Sequence, residues 1–210
     1  MKGIAAGDGA DPKNTNVGLM QPKAPSESTT VLAHWMGIAD ANSSRNIHGG
    51  TIMKLVDEAA GIASVRHSHR RTVTASMDRM SFLVPIEIGQ LVTFTATVNA
   101  AWHTSMEVGV RVVAENPRTG ELRHASTAYL TMVALDDEGR PTPVPPLAPT
   151  TATEERRMRE AELRRQHRLA ERAAIEHGRR ASEAAQTGVV GGRRRADAAI
   201  RLSCAGDEPV

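Results

Sequence analysis

A carboxamide, a glycine pair and a carboxylate follow one another in one short stretch of the chain: Asn42, Gly49–Gly50 and Asp57. The stretch opens as a polar, turn-prone loop, Asp40-Ala41-Asn42-Ser43-Ser44-Arg45-Asn46-Ile47-His48. It then passes through the glycines into Thr51-Ile52-Met53-Lys54-Leu55-Val56-Asp57-Glu58-Ala59-Ala60-Gly61-Ile62-Ala63-Ser64. Ile52, Val56, Ala59 and Ala63 recur at steps of three and four, which predicts a helix over about Gly49–Arg66. The first N–H groups of a helix have no partner inside it, and that end of the helix is partly positive. A loop leading into such a start is a place to hold a developing negative charge. Asn42 and Asp57, residue types rarely at home in a core, flank the start. Asp57 lies about two turns in, on the order of 10 Å from it.

The elements that must carry this stretch are mostly strands. Residues 29–38, 72–84, 90–102, 105–114 and 121–135 read as strands, the second ending at Pro85. In the third, Val92, Phe94, Ala96 and Val98 alternate with Thr93, Thr95, Thr97 and Asn99. In the fourth, Met106, Val108, Val110 and Val112 alternate with Glu107, Gly109 and Arg111. Turn signals at Ile88-Gly89-Gln90, His103-Thr104 and Asn116–Gly120 separate them, so consecutive strands are expected to be antiparallel neighbours. The run His67-Ser68-His69-Arg70-Arg71 is expected to close the helix with cations at its negative end. One helix and a run of antiparallel strands make an α+β layer. A helix of about 18 residues is narrow for five strands, and the leftover edge argues for a dimer.

Hydrophobic residues make up 40% of the 210, but aromatics only 2%, so the core is expected to be aliphatic and filled by Met. A formal charge of +2 does not imply a nucleic-acid partner. The single cysteine, Cys204, excludes an intrachain disulfide framework and a Cys-rich zinc site, and fits a reducing compartment. No signal-peptide run or bilayer-length apolar stretch is visible, so a cytoplasmic protein without a membrane span is expected. The expected organisation is a disordered segment over 1–28, a folded domain over 29–140, and a Pro-rich extended linker over 141–150. A charged helix over 151–185 and a flexible tail over 186–210 complete it. The charged helix mixes Arg with Glu and lacks aromatics, which favours a solvated or assembly helix over a nucleic-acid binder.

Taken together and in order, several motifs resemble the cytosolic acyl-CoA thioesterases of the hotdog fold, single-hotdog bacterial type. They are Asp40-Ala41-Asn42, Asn46-Ile47-His48-Gly49-Gly50, the helix Met53–Ala60, Val73-Thr74-Ala75-Ser76, Phe82–Gly89, Thr104–Val108 and Pro143-Val144-Pro145. The resemblance covers about residues 30–165. It implies an antiparallel five-stranded sheet wrapped around one long helix. It also implies hydrolysis of acyl-CoA to a carboxylic acid and CoA, with coenzyme A as part of the substrate and no separate cofactor or metal. The minimal unit it implies is a homodimer, assembled further into a hexamer. Asp57 would be the general base for water, or a nucleophile through an anhydride, and both stay open. Asn42, favoured over Asn46 by the family pattern, would position the water or acyl group. The amides of Gly49 and Gly50 would polarise the thioester oxygen. Asp57 is too far from its own helix start, so the site is expected to combine two protomers at the dimer interface. Arg66, Arg71, Ser76, Arg79, Thr104 and Ser105 are candidates for binding CoA. The acyl chain is expected along Ala60, Gly61 and Ser64. Competing readings are a hotdog hydratase or dehydratase, for which His48 with Asp57 would serve, and a non-catalytic acyl-CoA-binding assembly module.

Overall fold

The computed structural model describes residues 20–203, with side chains as far as residue 180. After a short helical turn, α1 (Pro25–Ser28), come β1 (Thr30–Trp35), a 3-10 turn (Ile38–Asp40) and the long helix α2 (Gly49–Ser68). Then follow β2 (Arg71–Met77), β3 (Leu91–Ala101), β4 (Ser105–Asn116), β5 (Glu121–Leu135) and α3 (Ala152–Ser203). The five strands form one antiparallel sheet in the order β1-β3-β4-β5-β2.

The period-2 pattern decides which face is buried. Val92, Phe94, Ala96 and Val98 of β3 meet Met106, Val108, Val110 and Val112 of β4 on the inner face, all fully buried. α2 lies across this face and touches all five strands. It buries Ile52, Leu55, Val56, Ala59, Ala60 and Ala63, while Lys54 and Glu58 form an exposed i,i+4 pair at 3.5 Å. A fully buried Leu or Ile contributes about 1.5–3 kcal/mol, so this helix–sheet seam dominates the stability of the unit. Phe94, Met36, Met106 and Met132 fill the core, in keeping with the aliphatic, Met-rich expectation. This is the helix wrapped by a sheet that the resemblance implies.

The chain path differs from the expectation of successive hairpins. β2 does not pair with β3; it pairs with β5 at the far edge. The strand expected over 72–84 ends at Met77. Beyond it the chain still follows β5 through isolated ties: Asp78 N to Tyr129 O, Leu83 N to Ala125 O, both 2.9 Å, and Ser126 Oγ to Ser81 O at 2.9 Å. A register shift between Thr74 and Ser76 has already loosened the ladder there, and Pro85 lacks a donor. Within the chain, β1 and β2 are the sheet's two edges.

Two segments taken from composition as loose are packed. Residues 20–28 are ordered, with Lys23 N donating to Pro146 O and Ala148 N to Lys23 O, both at 2.9 Å. The Pro-rich segment, expected as a linker, is a strap over the domain: Val144 and Leu147 are buried, and Val144 N bonds His103 O at 3.0 Å. His67, expected as a cation closing α2, is instead fully buried, its Nε2 2.9 Å from Pro145 O. Burial lowers its pKa below 6.5, outweighing the opposing effect of the Pro145 carbonyl, so the imidazole is neutral at neutral pH.

Two compact units divide at Arg159 and Glu160. The second is the remainder of α3, a helix with exposed Leu163, Leu169 and Ile175 and an Arg172–Glu176 pair at 2.9 Å. α3 runs through the expected tail as far as Ser203. Residues 1–19, expected to be disordered, and 204–210, with Cys204, lie outside the described residues.

Candidate active site

Asn42 builds the loop that leads into α2. Its Oδ1 accepts from Ser44 N at 2.9 Å and Asn46 N at 3.2 Å, while its own N–H donates to Asn46 O at 2.8 Å. This side-chain turn suits an Asn, which competes well for nearby backbone donors. Arg45 takes a left-handed φ of 63° to close it. Below the turn, Ala41 pairs with Ile47, and His48 N donates to Asp40 O at 2.8 Å. Ile47 is buried and its N–H reaches Ile86 O at 2.7 Å, which pins the loop to the domain. With Oδ1 committed to the turn, the Asn42 side chain keeps its Nδ2 donor for a ligand. Asn46 contributes only backbone groups to this turn.

His48 is the N-cap of α2 through its carbonyl and makes no side-chain cap bond. Among the described residues, no acceptor engages the N–H groups of Gly49 and Gly50, which open the helix. Space is open above Gly50, whereas a Cβ on Gly49 would press to 3.3 Å from Phe82 Cζ. A side chain at 49 would press on the Phe82 ring, which would have to give by a few tenths of an ångström. The two amides stand at the partly positive start of the helix.

Asp57 is eight residues along α2 from Gly49, about 12 Å by helical rise. It faces β2, where Thr74 Oγ1 donates to its Oδ1 at 2.5 Å. About two turns further on, Ser64 Oγ lies 2.7 Å from Thr72 Oγ1. Thr72 and Thr74 share one face of β2 by strand alternation, and both hydroxyls grip α2. Sequence reasoning missed both; the available signal was the i, i+2 threonine pair directly after the helix. No hydrogen bond among the described residues joins Asp57 to Asn42 or to the glycines of the same chain. β2 is an edge strand with exposed Val73, Thr74, Ala75 and Ser76, so the Asp57–Thr74 pair stands at the open margin of the sheet.

The residues named for CoA do not all come together. Arg66 and Arg71 line one cavity with Lys23, Glu27, Val65, His69 and Arg70 at the C-terminal end of α2. Thr104 and Ser105 form the β3–β4 turn, where Thr104 O accepts from Ala134 N at 3.0 Å. Ser105 shares a register row with Val133 and Val73, near the start of β2. Ser76 lies toward the other end of β2, and Arg79 is beyond it in the 78–84 segment. For the acyl chain, Ala60 is fully buried and Ser64 is bonded inward. Gly61 alone of the three presents open space, one turn after Asp57. Among the described residues no group of three or more His, Cys, Asp or Glu could hold a metal ion, and no helix is long and apolar enough to cross a membrane.

This arrangement can polarise a carbonyl at a helix start and present an oriented carboxylate elsewhere on the same helix. Known proteins are similar to this chain in sequence and fold. The family model that matches describes the Thioesterase superfamily and covers residues 45–121. The uncharacterised acyl-CoA thioester hydrolase YkhA of Bacillus subtilis is 41% identical over 128 residues, 61% of this chain and 74% of that protein. An acyl-CoA hydrolase of Staphylococcus aureus, solved with butyryl coenzyme A, coenzyme A and coenzyme A disulfide, superposes with a TM-score of 0.69 and 35% identity. The match covers 74% of this chain and 94% of that one. The same hydrolase has been solved as alanine variants of an asparagine, an aspartate 15 positions later and a threonine 17 beyond that. Asn42, Asp57 and Thr74 repeat that spacing. A hexameric acyl-CoA thioesterase in its apo form matches with a TM-score of 0.70 and 33% identity over 72% of this chain and 97% of that one.

Proposed function

The chain belongs to the thioesterase superfamily, and from that premise we propose that it hydrolyses acyl-CoA thioesters to free carboxylic acid and CoA. The observation that carries the reading is the pairing of an unpartnered helix start at Gly49–Gly50 with a carboxylate whose orientation is set by Thr74.

The chemistry follows from the geometry. The thioester oxygen accepts from the amides of Gly49 and Gly50 and from Asn42 Nδ2. Asp57 Oδ1 is held by Thr74, which leaves Oδ2 for the attacking water. Asp57 takes the water's proton as the water oxygen bonds to the carbonyl carbon. Negative charge then collects on the carbonyl oxygen at the helix start, where the amides need no reorganisation to meet it. The C–S bond breaks, CoA leaves as a thiolate, and the proton on Asp57 returns to the thiolate or to solvent. No metal or cofactor enters this scheme.

Asp57 stands about 12 Å from its own Gly49, too far to serve a thioester held there. A second copy with its helix antiparallel supplies the missing carboxylate, so each site joins Asn42, Gly49 and Gly50 of one protomer to the partner's Asp57. The open edge of β2 and the exposed Val73, Met53, Ile62 and Val65 offer the surface for that pairing. The unit is then a homodimer, built further into a hexamer as in the hexameric relative, and it acts in the cytoplasm.

The test is thiol release from a panel of acyl-CoA esters by wild type and by Asp57→Ala. Wild type is expected to release thiol, and Asp57→Ala to lose at least about 1,000-fold in kcat, as for loss of a catalytic group. A wild type that binds CoA esters and never releases thiol sinks the reading. An active Asp57→Ala sinks the assignment of the base.

A further inference from the structure

Asp40 opens the motif Asp40-Ala41-Asn42, yet the chemistry above uses only the last of the three. In the fold the aspartate stands at the root of both arms of the proposed site. Its Oδ2 accepts from Gly37 N at 2.8 Å and lies 3.4 Å from His34 Nε2, which ties the 3-10 turn back to the end of β1. Its main-chain oxygen accepts from His48 N at 2.8 Å, immediately before Gly49. Two residues beyond it comes Asn42, whose turn closes on Asn46.

Little else holds this turn. It buries no side chain, and Ile38 is 82% exposed. The chain is pinned to the domain before it, by Met36 N on Gln90 O at 2.9 Å, and after it, by Ile47 N on Ile86 O at 2.7 Å. Among the described residues, the hydrogen bonds of residues 37–45 all close within 34–48. Asp40 joins the two ends of that stretch, with its side chain on residues 34 and 37 and its carbonyl on residue 48. His48 is then held on both sides, since its own carbonyl accepts from Thr51 N at 3.0 Å and Ile52 N at 3.3 Å. That carbonyl and the Gly49 N–H belong to one planar peptide unit, so fixing His48 fixes the direction of the Gly49 N–H.

We propose that Asp40 is a positioning residue for thioester hydrolysis. Its carboxylate anchors the turn, and the turn sets where the Gly49 N–H and Asn42 Nδ2 converge. The proposal rests on the hydrolase reading. The operative contact is the charge-assisted bond from Gly37 N. The His34 contact is long and 41% exposed on the histidine side, so it adds little.

The experiment compares full-length wild type, Asp40→Ala, Asp40→Asn, His34→Gln and the double variant Asp40→Ala/Asn42→Ala on one acyl-CoA, each assayed well below its own thermal midpoint. Asp40→Ala is expected to lower kcat about 10- to 100-fold, the scale of a displacement of about 1 Å at a reacting centre, with KM unchanged. Asp40→Asn keeps an acceptor for Gly37 N and should recover most of the loss, and His34→Gln should match wild type. The double variant should lose less than the product of the two single losses, because both act on one constellation. Wild-type kcat in Asp40→Ala overturns the proposal. So does a strictly multiplicative double variant, or an asparagine variant as slow as the alanine one. Hydrogen–deuterium exchange over residues 41–48, followed by mass spectrometry, runs in parallel and needs no turnover. Exchange should be faster in Asp40→Ala and return to the wild-type rate in Asp40→Asn. If the wild type releases no thiol, the hydrolase reading ends and exchange alone decides whether Asp40 holds the loop: faster exchange supports it and unchanged exchange overturns it.

Discussion

Thr74 Oγ1 donates to Asp57 Oδ1 and also lies 3.5 Å from Met132 Sδ, so one hydroxyl joins the edge strand, its neighbour β5 and the middle of α2. The threonine sets which carboxylate oxygen faces the open side. Removing it leaves Asp57 free to rotate. Thr74→Ala is expected to lower kcat about 10- to 100-fold, matching the roughly 1.5–3 kcal/mol of a hydrogen bond to a charged group, with little change in KM. Thr74→Ser should recover most of the loss and the isosteric Thr74→Val none. Equal kinetics for the serine and valine variants would show that packing, not the hydroxyl, matters.

Gly109 of β4 lies under a buried amide of β3. A Cβ there would stand 2.5 Å from Asn99 Nδ2, and that amide donates to the fully buried Glu107 at 3.3 Å. Gly109→Ala must therefore shift Asn99 and disturb a buried polar pair. The expected cost is about 1–3 kcal/mol, read as a lower urea midpoint. Asn99→Ser in the same chain should return part of it by making room; a strictly additive double variant would contradict the clash.

The features legible in sequence and those hidden from it divide along physical lines. Val92, Phe94, Ala96 and Val98 could be read because alternation repeats with every pair of residues and needs no partner. The start of α2 could be read because two glycines and a 3.6-residue period coincide. Strand order could not. Met80, Phe82, Leu83 and Val84 look as strand-like as β2, and only the long-range ties to β5 decide where the ladder stops. Burial of Glu107 was hidden as well, since a carboxylate on the polar phase of β4 reads as solvated; it takes the neighbouring Asn99 to hold it inside. Asn42 was singled out from a polar loop, but the division of labour in its side chain, Oδ1 to the turn and Nδ2 outward, needed coordinates. Thr74 shows in the sequence only as half of an i, i+2 pair with Thr72, and nothing in that pair says that it faces α2.

His67 links α2 to the strap through Pro145, and burial holds its pKa below 6.5. The fold therefore favours the neutral ring. The stability this contributes is complete above the unfolded value of about 6.5 and is lost as pH falls beneath it toward the folded pKa. Thermal unfolding of wild type should show a falling Tm between about pH 6.5 and 5. His67→Gln, which keeps a donor for Pro145 O but does not titrate, should be less stable at pH 8 and show a shallower slope in that window. The same slope in both proteins would remove His67 as the source.

The proposed sharing of sites between protomers makes a prediction that neither single variant can. Asn42→Ala and Asp57→Ala homodimers should both be nearly inactive, because every site lacks one group. In a mixed dimer, the protomer carrying Asp57→Ala still offers its Asn42, and the protomer carrying Asn42→Ala still offers its Asp57. If the two groups of a site come from different chains, these intact halves meet in one site and the other site loses both. If both groups come from one chain, each site stays broken. Co-expression with two affinity tags isolates the mixed dimer. It is expected to show about half the wild-type kcat per dimer, one of two equivalent sites being whole. Activity no higher than that of the parent variants would place Asn42 and Asp57 in the same site of one chain, and would require a path for Asp57 across the roughly 12 Å of helix that separates it from Gly49.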